Sequence, residues 1–278
     1  MQSLLLAAPL FALTSAPSTD VVQMGLGAPP SAPQVNVLSA ERSTSSQTYG
    51  YDYDYDDGES AGESSDSVSG SFDSVADLDT FAWYGQHVGH AVSALDSTID
   101  ANGMVFDSSV TAETFGELFS SDAGGTVTKT VTFSIDERVR YRFVAVTSAT
   151  YGYNGGEVSV RAAGGALVAQ AAAGPFVSAP EDVSQLGWLE PGTYTFELET
   201  YASAGGQSGA AEAHSASADG ALLWYSSADF DADGTVDGRD LKLFTTAFAH
   251  GDDTADINGD GDTDLADWRA FARAWRRG

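Results

Sequence analysis

Two stretches near the carboxyl end carry oxygen ligands at the spacing that suits a calcium ion. This hard cation takes six to eight oxygens at about 2.3–2.6 Å, which one loop can supply from positions one, three, five, seven, nine and twelve. Position six needs a glycine for the sharp turn, and Gly234 stands there in the first stretch. The first loop then offers the carbonyl of Thr235 and the side chains of Asp229, Asp231, Asp233, Asp237 and Asp240.

The same pattern returns 27 residues later, since 256 − 229 = 27. Gly261 takes the turn position, and the second loop offers the carbonyl of Asp262 and the side chains of Asp256, Asn258, Asp260, Asp264 and Asp267. One Asp-rich loop with a glycine is often only a solvated turn, but two loops in register are hard to obtain by chance. The sequence therefore predicts two calcium ions, one in each loop.

An amphipathic helix is predicted after each loop. Apolar residues recur at positions i, i+3 and i+7 in both copies, as Leu241, Phe244 and Phe248 and again as Trp268, Phe271 and Trp275. The two stripes can face each other and form a small core. They also argue against the rival class, Asp-rich calcium arrays that lack helices. Because clustered carboxylates repel one another, we expect this module to be largely unfolded without calcium.

Two features separate the loops from the calmodulin-like pattern: position twelve is Asp rather than Glu, and no helix clearly precedes either loop. In both respects residues 229–276 resemble a type I dockerin. The resemblance implies two bound Ca²⁺ ions and a cohesin-like domain or cell-surface protein as partner, in a setting of polysaccharide breakdown. It also implies partner-binding positions after loop position nine and along the helices: Gly238, Arg239, Thr245, Thr246, Leu265, Ala266, Ala272 and Arg273.

Residues 72–226 show the period-two alternation of strands. Thr126 to Ile135, Val139 to Phe143 and Tyr194 to Leu198 place apolar side chains on one face, with Gly-rich breaks between the segments. The expected fold is therefore mainly β, an antiparallel, jelly-roll-like sandwich followed by a small helical dockerin-like module over 229–278. Residues 75–119 fit either short strands or a helix. The phrase from Leu189 to Phe196 weakly resembles secreted jelly-roll modules, including the pre-peptidase C-terminal type.

The amino end is predicted to be a leader and a spacer. An apolar run from Leu4 to Leu13 precedes small residues, so residues 1–16 fit a signal peptide and a secreted or cell-surface location. The alternative is a disordered apolar tail. Residues 17–71 are rich in Ser and contain a Tyr/Asp repeat at 49–57, and the absence of apolar periodicity predicts a disordered linker.

The composition of the chain excludes several classes of partner and of stabilising cross-link. The chain has 12 Lys and Arg against 40 Asp and Glu, a net charge of −28, which argues against nucleic acids and anionic membranes as partners. It has no cysteine, which excludes disulfides and thiolate zinc sites. No stretch after the amino end approaches about 20 consecutive apolar residues, so no transmembrane segment is predicted.

The remaining candidate sites in the β-region are weaker. His87 and His90 have a metal-like spacing without an evident third ligand. Arg138, Arg140 and Arg142 could hold acidic glycans, although a solvated strand face is the simpler interpretation. Aromatic residues that could stack on sugars are Trp83, Tyr84, Tyr151, Tyr153 and Trp188. Because no catalytic constellation is visible, a non-catalytic protein is expected; the alternatives are a carbohydrate-binding β-domain and a glycoside hydrolase with an unrecognised site.

Overall fold

The computed structural model describes residues 35–52, 55–81, 87–115, 120–150, 154–174, 181–207 and 211–277. Within these ranges the chain forms twelve strands and then two helices. The strands are β1 Val35–Asp52, β2 Tyr55–Ser65, β3 Gly70–Phe81, β4 His87–Asp100, β5 Gly103–Thr114, β6 Ser120–Ile135, β7 Val139–Ala149, β8 Gly155–Ala162, β9 Leu167–Ala173, β10 Glu181–Leu189, β11 Gly192–Gln207 and β12 Glu212–Tyr225. The helices are α1 Gly238–His250 and α2 Leu265–Trp275, with a 3-10 turn at Asp253–Ala255 between them.

The described strands form two six-stranded sheets. The first has the order β2-β1-β6-β11-β8-β9, and the second has the order β10-β7-β12-β5-β4-β3. All recorded strand pairs are antiparallel. The predicted mainly β architecture, a sandwich followed by a small helical module, is therefore confirmed. Neither helix is long and apolar enough to span a bilayer, among the residues that the structure describes.

One apolar core fills the space between the sheets. It takes Phe133 and Phe196 from the first sheet and Phe106, Phe143 and Trp224 from the second, all of them buried. The inward positions alternate along each strand, which is why period two predicted β6, β7 and β11 correctly. The rings of Phe106 and Phe196 meet across the sheets with centroids 5.3 Å apart.

The predicted linker is wrong for residues 35–71. In this range the chain forms β1, β2 and the start of β3, and β1 lies between β2 and β6 in the first sheet. The backbone of the Tyr/Asp repeat pairs within the β1–β2 hairpin, with Tyr51 opposite Asp56. The predicted signal peptide and residues 17–34 lie outside the described residues. The ambiguous stretch 75–119 forms strands β3, β4 and β5 wherever it is described.

Strand β1 was not predicted because most of its inward-facing side chains are polar. Its inward positions include Arg42, Thr44, Ser46 and Thr48, each at most 2% exposed, so no apolar alternation exists to detect. These polar side chains form hydrogen bonds with residues that are far away in the sequence. Thr44 and Ser74 share a hydrogen bond of 2.8 Å, and Ser46 donates to the carbonyl of Ala76 at 2.8 Å. Hydrogen bonds to residues 30 positions away thus connect β1 to the facing sheet, whereas apolar contacts connect the sheets elsewhere in the sandwich.

Two cations lie side by side in this polar interior. Arg42 and Lys129 are opposite each other on β1 and β6, and both are almost fully buried. Arg42 donates to the carbonyls of Ser67 and Gly70 at 2.9 and 3.2 Å. Burial lowers the pKa of Lys129 to about 7, and the positive charge of Arg42 adds to this effect. Lys129 is therefore partly neutral in the folded protein at neutral pH.

An aspartate row crosses the outer face of the second sheet. Asp73, Asp96, Asp107 and Asp219 are direct partners on the neighbouring strands β3, β4, β5 and β12. Burial, a hydrogen bond with Asp107 and repulsion by Asp107 raise the pKa of Asp219 to about 7. Burial and repulsion by Asp73 and Asp107 also raise the pKa of Asp96. Like charges that face each other across strands destabilise a sheet, so this row weakens the sandwich at neutral pH.

Candidate metal centre

The first loop brings three carboxylates together. One oxygen from each of Asp229, Asp231 and Asp233 lies within 4.8 Å of the others, so this cluster could hold a metal ion. Gly234 has a left-handed φ of 90°, and this conformation turns the chain back toward Asp229. Asp229 then accepts hydrogen bonds from the backbone N–H groups of Asp233 and Gly234 at 3.1 and 2.9 Å. The loop backbone thereby wraps around its own first ligand.

Asp240 closes the loop from the first turn of α1. Its carboxylate accepts from the N–H groups of Phe230, Asp231 and Asp237 at 2.6, 3.1 and 2.8 Å, and its side chain is buried. Asp237 is the N-cap of α1 and accepts from the N–H of Arg239 at 2.7 Å. Loop positions nine and twelve therefore form a capping box, which fixes the start of the helix to the loop.

The second loop repeats these hydrogen bonds. Asp256 accepts from the N–H groups of Gly259 and Gly261 at 2.7 and 3.1 Å. Asp267 accepts from Ile257, Asn258 and Asp264 at 2.8, 3.0 and 2.8 Å. These five contacts match those of the first loop, except that Gly259 takes the place of the residue matching Asp233. Asp264 is the N-cap of α2, so both loops have the same architecture.

The remaining predicted ligands lie in the exposed parts of the loops. The N–H of Thr235 donates to Asp233 at 2.9 Å, and the N–H of Asp262 donates to Asp260 at 3.0 Å. The side-chain amide of Asn258 donates to Asp260 at 2.8 Å. These Asx-type turns shape the exposed part of each loop. Among the residues that the structure describes, only Asp229, Asp231 and Asp233 are close enough to form a group of three carboxylates, and the second loop does not bring its carboxylates together in this way.

Burial and mutual repulsion act on the carboxyl groups of the first loop. Burial raises the pKa of Asp229 to about 7, and repulsion by Asp240 and Asp233 adds to the rise, while the N–H of Gly234 opposes it. Burial and the same two neighbours raise the pKa of Asp231. Both carboxylate oxygens of Asp231 are buried and accept no well-aligned hydrogen bond, although the Nε of Arg239 is 3.0 Å from Oδ2. An all-oxygen donor set with unmet acceptors fits a hard cation.

Stacked aromatic rings hold the two loops together. Phe244 of α1 and Phe271 of α2 lie parallel with centroids 4.0 Å apart, and Trp268 lies 5.6 Å from Phe244. The residues at loop position two, Phe230 and Ile257, are buried in the same cluster. The facing helical stripes that the sequence predicts are present, except that Leu241 and Trp268 are each 38% exposed. The two loops therefore share one apolar core.

Most of the predicted partner-binding positions are accessible. Gly238, Arg239, Thr246, Leu265 and Arg273 are exposed. Thr245, Ala266 and Ala272 are half-buried. Leu265 is 65% exposed, and Leu241 and Trp268 are each 38% exposed, so the two helices also present large apolar side chains to solvent. A surface of this composition is available for a protein partner.

The sequence does not predict the contact between the sandwich and residues 229–277, called the tail below. A solvated strand face is the simpler interpretation of Arg138 and Arg140, but both contact the tail, Arg138 at the carbonyl of Asp256 and Arg140 at the ring of Phe230. Trp188, one of the aromatic residues considered for sugar stacking, packs against the core of the tail. The side chains of the other four aromatics and of His87 lie outside the described residues. His90 contacts Asp77 at 3.0 Å.

A cleft at one end of the sandwich is a second candidate site. It has a volume of about 920 Å³ and is lined by Tyr49, Glu59, Asp122, Glu212 and His214 together with several glycines. A Cβ on Gly205 would lie 3.0 Å from Asp122, and a Cβ on Gly58 would lie 3.1 Å from Tyr49. Glycines thus leave room for a ligand beside groups that form hydrogen bonds.

Comparison with known proteins gives no family for this chain. No family model and no curated protein matches it. Among solved structures, tailspike protein 4 of bacteriophage CBA120 is 15% identical with a TM-score of 0.23, over 55% of this chain and 19% of that one. A chain of infectious bursal disease virus strain Gx is 11% identical with a TM-score of 0.22, over 69% and 57%. The exo-β-1,3-galactanase of Phanerochaete chrysosporium is 15% identical with a TM-score of 0.19, over 55% and 41%.

This chain therefore spans less than two thirds of the length of each of these proteins. Their TM-scores are too low to support an argument about function.

Proposed function

We propose that the tail is a dockerin-like module that binds two calcium ions and holds the β-sandwich on a protein partner outside the cell. The observation that carries the proposal is the repeated loop. The same backbone hydrogen bonds arrange the ligand positions in both copies. Asp229, Asp231, Asp233 and Asp240 would hold the first ion. Asp256, Asn258, Asp260 and Asp267 would hold the second, and carbonyl oxygens would complete each shell.

Calcium would supply the positive charge that the carboxylates lack. With the ions bound, the loops keep the N-terminal turns of α1 and α2 in place through their capping boxes. The exposed positions along both helices then form one ordered surface. A cohesin-like domain or a cell-surface protein is the class of partner proposed for it, in a setting of polysaccharide breakdown.

The test compares the full chain with a variant that carries Asp240→Ala and Asp267→Ala. We expect the wild type to bind two ions in calorimetry and to lose helical circular dichroism after chelation. The variant should bind neither ion, and a calcium-dependent pull-down should recover no partner with it.

The matched control carries Asp252→Ala and Asp253→Ala, which remove the same charge from exposed positions between the loops. Asp252 makes no side-chain capping hydrogen bond, so the control should behave as wild type. Helicity that does not change when the wild type is chelated would contradict the proposal.

A carbohydrate-binding β-domain is the second candidate function, because the cleft at the end of the sandwich combines Tyr49 with acidic and hydroxyl groups. Glycan-array binding by the full chain that is lost in Gly205→Leu would support it. The Gly205→Leu side chain would fill the space beside Asp122.

The third candidate function is that of a glycoside hydrolase. It requires hydrolytic activity on a polysaccharide that is lost in Asp122→Asn or Glu212→Gln.

A further inference from the structure

The tail lies against the outer face of the sandwich where β7 begins and β10 ends. Arg140 of β7 is opposite Trp188 of β10, and the indole ring lies beside two guanidinium groups. Arg138 is 4.8 Å from the ring centroid of Trp188, and Arg140 is 5.0 Å from it. Arg140 is also 4.8 Å from the ring of Phe230, which is position two of the first loop. These cation–π contacts connect the sheet directly to the loop.

Arg138 holds the second loop at its first ligand position. Its Nη1 donates a hydrogen bond to the carbonyl oxygen of Asp256 and lies 3.6 Å from the carboxylate of the same residue. Its Nε lies 2.7 Å from Glu190, at the turn between β10 and β11. One guanidinium group therefore connects the sandwich, a turn of the sandwich and the start of the second loop.

Arg140 contacts the first loop through the ring of Phe230 rather than through a hydrogen bond. It is 9% exposed, and its Nε and Nη1 are buried without a hydrogen-bond partner. The acidic groups that act on its charge are the loop residues Asp229, Asp240 and Asp231. The positive charge of Arg140 is thus balanced by the ligands of the tail, and a buried charge needs such balance to be tolerated.

The second loop also approaches the sandwich closely through its backbone. A Cβ on Gly259 would lie 2.9 Å from Glu190 and 3.4 Å from Arg138. The first loop has Ala232 at the matching position with a φ of 56°, so the loop conformation itself accepts alanine there. Alanine in the second loop would therefore disturb its contact with the sandwich without removing a ligand.

We propose that Arg138 and Arg140 are positioning residues for the two ion sites, so that calcium binding in the tail and folding of the sandwich are coupled. The inference rests on the proposed function, because it requires that the loops bind calcium. Its physical basis is reciprocity: if the sandwich orients Asp256 for the ion, the bound ion must stabilise the folded sandwich by the same free energy. The tail is then a part of the sandwich rather than a tethered module.

The experiment measures calcium binding and thermal unfolding of the full chain in parallel. Calorimetry gives the number of bound ions and their Kd values, and circular dichroism of the sheets gives the unfolding midpoint of the sandwich with calcium or chelator. In the wild type we expect two ions and a midpoint that rises by several degrees with calcium. In Arg138→Gln we expect one ion to bind about tenfold more weakly and most of the rise in midpoint to disappear.

Two further variants separate positioning from general damage. Gly259→Ala retains every ligand and should also reduce the calcium-induced rise, and it remains informative if Arg138→Gln does not fold. The matched control is Arg161→Gln, which removes the same charge from β8, where Arg161 is near Glu157 and Glu197 rather than the tail. This control should retain the wild-type rise.

The outcomes distinguish the two proposals. Two bound ions with no change in the sandwich midpoint overturn the coupling and leave the proposed function intact. A full rise in both Arg138→Gln and Gly259→Ala also overturns the coupling. If the wild type binds no calcium, the proposed function and this inference fail together.

Discussion

The protein contains two arrays of aspartates that differ in how the backbone presents them. In the calcium loops the carboxylates come from one tight turn, and backbone N–H groups point at Asp229 and Asp240. In the aspartate row the carboxylates come from different strands, and the backbone N–H groups of those strands are engaged in the sheet. The row relieves its repulsion through a hydrogen bond between Asp107 and Asp219. Carboxylate density alone therefore does not determine how carboxylates are presented: in the loops the backbone wraps around them, and in the row it does not.

The largest expected effect is on calcium affinity, when two negative charges are removed from the loops and, for comparison, two from the aspartate row. Asp229→Asn with Asp256→Asn should weaken calcium binding more than about 100-fold, because both changes remove a negative charge from the ligand at position one. Asp107→Asn with Asp219→Asn should leave both Kd values unchanged. Titration calorimetry on the two double variants makes the comparison. Weaker calcium binding in the second variant would show that the row also holds ions.

A smaller effect is expected from pH. The pKa of Asp229 is raised to about 7 in the folded loop, and this carboxyl must lose its proton to bind an ion. Calcium affinity of the first loop should therefore fall up to about tenfold per pH unit below pH 7 and level off above it. Calorimetry in buffers of different ionisation enthalpy should detect the released proton. Equal affinities at pH 6 and pH 8 would contradict this prediction.

The smallest effect concerns the aspartate row. Because the pKa of Asp219 is raised to about 7, the folded protein holds an extra proton between about pH 4 and pH 7, and the row destabilises the sandwich as pH rises through that window. Asp219→Asn should raise the free energy of unfolding by about 1 kcal/mol at pH 7.5 and change it little at pH 4. Urea unfolding in chelator at the two pH values measures this difference. Asp100→Asn, an exposed position on β4, serves as control.

The backbone of the two Asp-rich loops could be predicted from sequence because the features that determine it are local. Each set of ligands lies within twelve consecutive residues, and the turn glycine and N-cap residue lie in the same stretch. The apolar strands β6, β7 and β11 were also predictable, since their buried positions alternate with polar ones. In both cases the local structure is determined by residues that are close together in the sequence.

Strand β1 and the arginine contacts could not be predicted in the same way. The inward side chains of β1 are Ser, Thr and Arg, whose burial depends on partners such as Ser74 and Ser93 in other strands. Arg140 occupies a position on β7 that faces away from the main core, and it lies between the rings of Trp188 on β10 and Phe230 of the tail. Each of these features depends on residues far apart in the chain, so a pattern of neighbouring residues does not contain it.

The polar interior around β1 has a thermal consequence. Unfolding exposes apolar surface, which raises heat capacity, and polar surface, which lowers it. Because hydroxyl groups such as those of Thr44 and Ser108 replace apolar side chains between the sheets, the heat-capacity change per residue should be smaller than in a fully apolar sandwich. A smaller change flattens the dependence of stability on temperature. This half of the sandwich should therefore retain its stability over a wide range of temperatures, including in the cold.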